Sequence, residues 1–312
     1  MSFQLIQPVN FFFFSTEMPS GPIIGNGHSE ESGEPVAVVA FCNALLDMSI
    51  SVADDSLIKK YGLPCDAQIE ITSEQQSLFS EVLHNYPVEY VAGGSAQNTL
   101  RILCRLVNNK WPSYVVAKIA NDPVGIILQK LLAQDGVRTR YVLDENLPTG
   151  CCVAIVRPDG TRCLAANIGA AREFSMENLD SINDVTDLID RARVLYIEGF
   201  FASHSPDVAM AALIRGHSRW SADWDWSKLN ERLVVVTCGA SGVVCATPSD
   251  SWEFAAVKLQ PKEIKDTTGA GDAFLAGFLS QLLVSRPLDV CVATGQQTAR
   301  IVITQIGCRL PL

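Results

Sequence analysis

The chain has no Lys or Arg before Lys59. That excludes the basic start of a secretory signal and the arginines of a mitochondrial presequence. Basic residues stay scarce beyond that point. Lys plus Arg number 24 against 34 Asp plus Glu, a formal charge of -10 over 312 residues. Nucleic acid and anionic membranes are therefore not expected partners, although one focused basic pocket for a nucleotide fits the total. No apolar run approaches the length that spans a bilayer. Ten cysteines occur, but none form C-x-x-C, so the zinc and redox signatures are missing. Most cysteines, such as Cys104, Cys151, Cys152 and Cys163, lie in apolar runs, where a reduced thiol acts as a small core residue. No internal repeat is present. The expected compartment is the cytoplasm, with the nucleus as the alternative.

Hydrophobic residues make up 48% of the chain, enough for one large domain with a lid. Residues 1–35 mix Phe11–Phe14 with a Pro-, Gly-, Ser- and Glu-containing stretch and read as a disordered leader, in which Met18 offers a second start. From Val36 a β-branched run ends near Asn43 and reads as a buried strand. Helices are expected over 73–85, after Gly94, over 125–134, 175–191 and 206–215, and in two C-terminal segments, 269–284 and 288–304. Strands are expected over 114–120, 151–156, 162–166, 194–197, 233–238, 243–246 and 254–257. Asp159-Gly160 reads as a hairpin turn. Strand and helix alternate, so the class is α/β with a mainly parallel sheet flanked by helices.

Asp266-Thr267-Thr268-Gly269-Ala270-Gly271-Asp272 opens a segment with helical spacing at Phe274, Leu275, Phe278, Leu279 and Leu282. A glycine-rich turn at a helix start presents unpaired N–H groups and partial positive charge, which suit a phosphate. Asp272 would repel that phosphate. It is either a helix cap or a general base that takes the proton of an attacking hydroxyl. Gly93-Gly94-Ser95-Ala96-Gln97-Asn98 precedes a second helix. It is either a tight turn with Asn98 exposed or, together with Asp47, a hydrogen-bonding set suited to a vicinal diol.

The first of these stretches resembles the D-T-x-G-A-G-D signature of the ribokinase-like sugar and nucleoside kinases. That resemblance implies an anion hole at Gly269, Ala270 and Gly271 and a catalytic base at Asp272. Asn43-x-x-x-Asp47, the Gly93-Gly94-Ser95 turn with Asn98, Pro148-Thr149-Gly150 and Gly199-Phe200-Phe201 are together similar to the adenosine kinases of that family, from about Val36 to Cys308. The resemblance places the ribose hydroxyls on Asp47, Gly94 and Asn98, with Asn43, Gly93 and Ser95 beside them. It places adenine against Phe200 or Phe201, Phe201 being favoured. Leu45 and Leu164 would complete an apolar wall, and Arg162 would close over the transferring phosphate. The lid would be built from 45–72 and 147–171 and would exclude water. ATP would lie along Thr237, Gly239, Gly242 and Thr268, with Gln296 bordering its base. The implied partners are adenosine and ATP with Mg2+, and a monomer is expected.

The resemblance breaks between Trp220 and Leu233. The family carries about two further βα units there, each on the order of 30 residues. One of them holds an N-x-x-E motif whose Glu organises Mg2+, and none occurs in this interval. The metal ligand is therefore unassigned, and apolar sheet edges should be left open. Three functions follow: an adenosine kinase, another sugar or nucleoside kinase of the family, or a nucleoside-binding remnant with little turnover.

Overall fold

The computed structural model describes residues 11–14, 35–64, 68–158, 161–221 and 233–311. The Asp159-Gly160 turn, most of the leader and the interval 222–232 lie outside the described residues. The main sheet is built from β1 (Phe11–Phe14), β2 (Val36–Phe41), β6 (Ser113–Ala120), β7 (Arg138–Asp144) and β10 (Ala192–Ile197), in the order β1-β10-β2-β6-β7. A second sheet takes β3 (Leu45–Ser51), β4 (Gln68–Glu70), β5 (Glu89–Gly93), β8 (Gly150–Val156) and β9 (Arg162–Asn167), in the order β4-β9-β8-β3-β5. A third, antiparallel sheet comprises β11 (Val234–Thr237), β12 (Val243–Ala246) and β13 (Ser251–Phe254). The helices are α1 (Ser56–Lys60), α2 (Ser77–Asn85), α3 (Ser95–Leu106), α4 (Pro123–Gln134), α5 (Met176–Asp180), α6 (Val185–Arg191), α7 (Gly199–His204), α8 (Pro206–Ser221), α9 (Ala270–Leu282) and α10 (Leu288–Ile303).

The unalternating apolar runs of β2 and β6 are buried at every residue, as a sheet covered on both faces requires. Val38 and Ala40 face a core shared with α3, α4 and α9. Val39 and Phe41 face the opposite core, with α5, α6 and α8. β10, β2, β6 and β7 run parallel. α9 lies tightly on α10 because Gly277 and Gly295 are glycines. A Cβ at Gly277 would meet Thr294 O at 2.7 Å, and one at Gly295 would meet the Phe274 ring at 2.8 Å. Among the described residues no helix is long and apolar enough to cross a membrane.

Several expectations change. The helix read over 175–191 is two short ones, α5 and α6, because Ser181, Asn183 and Asp184 favour a turn between them. The strand expected over 254–257 is shifted back to Ser251–Phe254, where it pairs with β12. β5 and β7 were not expected. Both are edge strands with charged residues and incomplete burial, so no apolar run marks them. The second sheet therefore joins 89–93 to strands from the two segments expected to form a lid.

The leader is not wholly irregular. Phe11–Phe14 pairs antiparallel with β10, Phe11 opposite Ile197 and Phe14 opposite Val194. This covers the free edge of β10, next to which the sheet would otherwise stop. The third sheet stays separate and packs its buried side, Val243 and Cys245, on Phe274, Phe278, Cys291 and Val292 of α9 and α10. On β11, Val234 is 55% and Val236 49% exposed, so an apolar strand face does remain open. A chain that starts at Met18 loses β1 and should uncover the β10 edge. Its melting temperature is expected to fall, and it should self-associate in size-exclusion chromatography. Unchanged melting and a single unchanged peak would show that β1 does not guard this edge.

Candidate active site

Two turns that begin with glycine meet at one carboxylate. α3 starts at Gly94, whose φ of +84° and whose contact with the Asn43 carbonyl, 2.7 Å from any Cβ built there, both require glycine. From the first turn of α3, Ser95 Oγ donates to Asp272 Oδ1 at 2.7 Å, and Asn98 Nδ2 donates to Asp272 Oδ2 at 3.1 Å. Asp272 itself lies in the first turn of α9, which is capped by Gly269 at φ +75°. A side chain at Gly269 would also run into Cys308 Sγ. At Gly271 a Cβ would meet nothing within 4 Å, so the helix start is open to an approaching group.

Burial pushes the Asp272 carboxyl up to about 6, against the lowering effect of Ser95 and Asn98. The bonds to Ser95 and Asn98 tie Asp272 to another helix, whereas a cap bonds within its own. The Asn98 amide is held at both ends, since its Oδ1 accepts from Arg101 Nη1 at 3.4 Å. Arg101 is buried, pairs with Asp135 at 2.6 Å and donates to Ala92 O at 2.8 Å. Ser95 Oγ also lies 3.1 Å from the Tyr196 hydroxyl.

Asp47 sits on β3, paired with Val91 of β5, and its carboxyl lies against Gly93, where no side chain would fit. Burial raises it to about 7; Arg101 and Arg162 pull it down, while Asp272 pushes it up. Arg162, on lid strand β9, is largely buried and bonds Asp266 at 2.9 Å. Asp266 also accepts from the Thr268 N–H at 2.9 Å and the Gly307 N–H at 2.7 Å, so β9 is tied to the start of the glycine-rich turn. Leu45 packs with Cys152, Ala166, Ile168 and Leu164 in one small hydrophobic cluster.

Two buried polar atoms here have no hydrogen-bond partner: Asn43 Oδ1 and Arg162 Nε. One is an acceptor and one a donor. Buried polar atoms are normally paired, so both are exceptions among the described residues.

Other expected site residues stand apart. Phe201, favoured for stacking, is fully buried against Phe41 and Phe174, with ring centroids at 5.8 and 5.6 Å. That is a correction: its ring belongs to the core of the main sheet. Phe200, 38% exposed, is the aromatic of that turn with a free face. Thr237 and Gly239 are exposed on the turn after β11, and Gly242 adopts φ +109° against Phe254 O. Gln296 donates to Ala255 O at 2.9 Å. Two site residues gave no motif signal. Glu198 accepts from the Asn43 N–H at 3.1 Å, and His204 Nδ1 lies 2.9 Å from Asn43 Nδ2. The available hint was an acid placed directly after the buried run Val194–Ile197.

The pfkB carbohydrate kinase family model matches residues 57–216 and 225–312. Adenosine kinase 1 of Arabidopsis thaliana is 27% identical, over 86% of this chain and 94% of its own length. That alignment runs over 329 residues, more than this chain contains, so the relative carries residues with no counterpart here. The apo structure of the Trypanosoma brucei brucei adenosine kinase superposes with a TM-score of 0.78 at 25% identity, over 88% of this chain and all of that one. The Anopheles gambiae adenosine kinase, solved with P1,P4-di(adenosine-5) tetraphosphate, gives 0.70 at 27%, over 88% and 98%. A family match over most of the chain, on a fold shared with these kinases, makes this protein a member of the pfkB family of carbohydrate kinases.

Proposed function

We propose that the chain is an adenosine kinase, transferring the γ-phosphate of ATP to the 5'-hydroxyl of adenosine to give AMP and ADP. The observation that carries this reading is the Asp272 carboxylate, shared by Ser95 and Asn98 beside an open, glycine-capped helix start. Asp272 takes the hydroxyl proton as the bond to phosphorus forms. The Gly269–Gly271 backbone bears the charge that develops on the phosphate. Asp47 and Asn98 hold the ribose hydroxyls, Asn43 Oδ1 supplies a further acceptor, and Leu45, Leu164 and Phe200 enclose the base. Arg162, paired with Asp266 beside the glycine-rich turn, turns its fork of donors toward the phosphate when ATP binds. Thr237, Gly239, Gly242, Thr268 and Gln296 are proposed on the ATP side. A monomer in the cytoplasm or nucleus completes the reading.

A cation cage made of protein side chains alone does not fit. Among the described residues no three His, Cys, Asp or Glu side chains converge on one point. An Mg2+ ion would be carried mainly by phosphate oxygens. The interrupted family match favours a second reading, in which the chain binds adenosine and turns it over poorly. A radiometric assay for AMP, run beside calorimetry with adenosine, separates the two. Binding with turnover supports the kinase, binding alone supports the remnant, and neither removes both.

Asp272→Asn should keep adenosine binding and lose about 10² to 10⁴ in rate. The base works only when ionised, so the parent's kcat should rise as pH climbs through about 6. A variant as fast as the parent, or a rate flat from pH 5 to 8, would return Asp272 to the status of a cap.

Asp47→Ala should weaken adenosine at least about tenfold while leaving ATP nearly unchanged, because it removes a buried charge-assisted acceptor. The control is 2',3'-dideoxyadenosine, which lacks the hydroxyls. Equal losses for both nucleosides would take Asp47 out of the sugar site.

Phe200→Ala should raise the adenosine Kd with little change in melting temperature. Phe201→Ala should instead cost about 3–5 kcal/mol of stability, as a buried Phe does. The opposite pattern in calorimetry and thermal melts would restore Phe201 as the stacking ring.

A further inference from the structure

Glu198 closes β10 and is 2% exposed, yet no cation is bonded to it among the described residues. Its backbone N–H continues the sheet ladder to Phe41 O at 3.0 Å, and its carbonyl receives the Ala202 N–H at 2.9 Å. The carboxylate makes different use of the chain. Burial pushes the carboxyl up to about 8, while the Asn43 N–H, which donates to Oε2 at 3.1 Å, and the nearby Ser95 N–H draw it back down. A buried carboxyl without a counter-ion is costly, and replacing it by an apolar side chain would commonly stabilise a fold. Its two partners show what it holds in place.

Asn43 begins the turn into β3, which carries Asp47 four residues on. Ser95 begins α3, and its hydroxyl holds Asp272. The same two segments touch directly, since Gly94 lies against the Asn43 carbonyl. Glu198 therefore bonds the Asn43 turn and stands beside the Ser95 N–H, at the N-terminus of the short helix that presents Phe200. Sugar side, base side and catalytic carboxylate are tied at one group. We infer that Glu198 is a positioning residue for the nucleoside site, setting the Asn43 turn against the Gly94-Ser95 turn so that Asp47 and Asp272 address one substrate. This deepens the adenosine kinase reading and rests on it.

The test uses the full chain with Glu198→Gln and Glu198→Ala. Gln keeps one acceptor oxygen for the Asn43 N–H but replaces the other by an amide NH2; Ala removes both acceptors. Adenosine KM should rise by about tenfold or more in Glu198→Gln, and further in Glu198→Ala, with ATP KM within about twofold of the parent. Amide hydrogen exchange should speed up in peptides covering 43–47 and 93–98, while 113–120 in the sheet centre stays protected. An adenosine KM at the parent value, or adenosine and ATP constants rising together, would overturn the inference. So would unchanged exchange at 43–47 and 93–98, or equal loss of protection at 113–120, which would mark a residue that serves only the fold. The exchange measurement needs no turnover. If the parent neither binds nor phosphorylates adenosine, the functional reading fails by itself, and the exchange pattern still decides whether Glu198 sets the two turns.

Discussion

A carboxylate taken out of water must be held by donors that do not move, and the site follows from how Asp272 meets that demand. Its donors come from α3 while it stands on α9, so the two helices are fixed in mutual register by Ser95 and Asn98. Asn98 is in turn oriented by Arg101, and Arg101 is fixed by Asp135 and by the Ala92 carbonyl. Each polar group is satisfied by another that is itself anchored, which lets such a network define one geometry rather than several. The helix start then needs only glycines to be open, and Gly271 leaves that space.

The lid depends on the same arrangement from the other side. Arg162 on β9 reaches Asp266, and Asp266 fixes the backbone of Thr268 just before the glycine turn. Strand β9 and the glycine-rich turn are thus joined by one ion pair. Because both partners are largely buried, that pair is not a rim contact of little consequence. Opening the lid would expose both charges together.

Much of this was legible in the chain. Glycine before a helix, acid after glycine and unalternating β-branched runs each have a local cause, so D-T-T-G-A-G-D and G-G-S-x-x-N could be placed without coordinates. Phe200 and Phe201 could not be told apart, because two adjacent aromatics on a short helix differ only in which face the neighbours cover. Phe41 and Phe174 decide that, and they lie far away in sequence. Glu198 was missed for the same reason: an acid at a strand end looks like surface until the Asn43 amide is seen to donate to it. β1 was missed because four phenylalanines in a polar leader carry no partner signal, and their partner is the edge of β10.

That edge pairing has a consequence for how the chain acquires its fold. β1 is the first described strand in sequence, and the strand it joins is the last of its sheet to be synthesised. Contacts between such distant segments close the largest loops and form late. On a ribosome the Phe11–Phe14 segment must wait, apolar and unpaired, while β2, β6 and β7 emerge and associate. The interval before β10 is made is thus the period of greatest exposure for this segment, and the speed of translation through residues 15–197 sets how long it lasts.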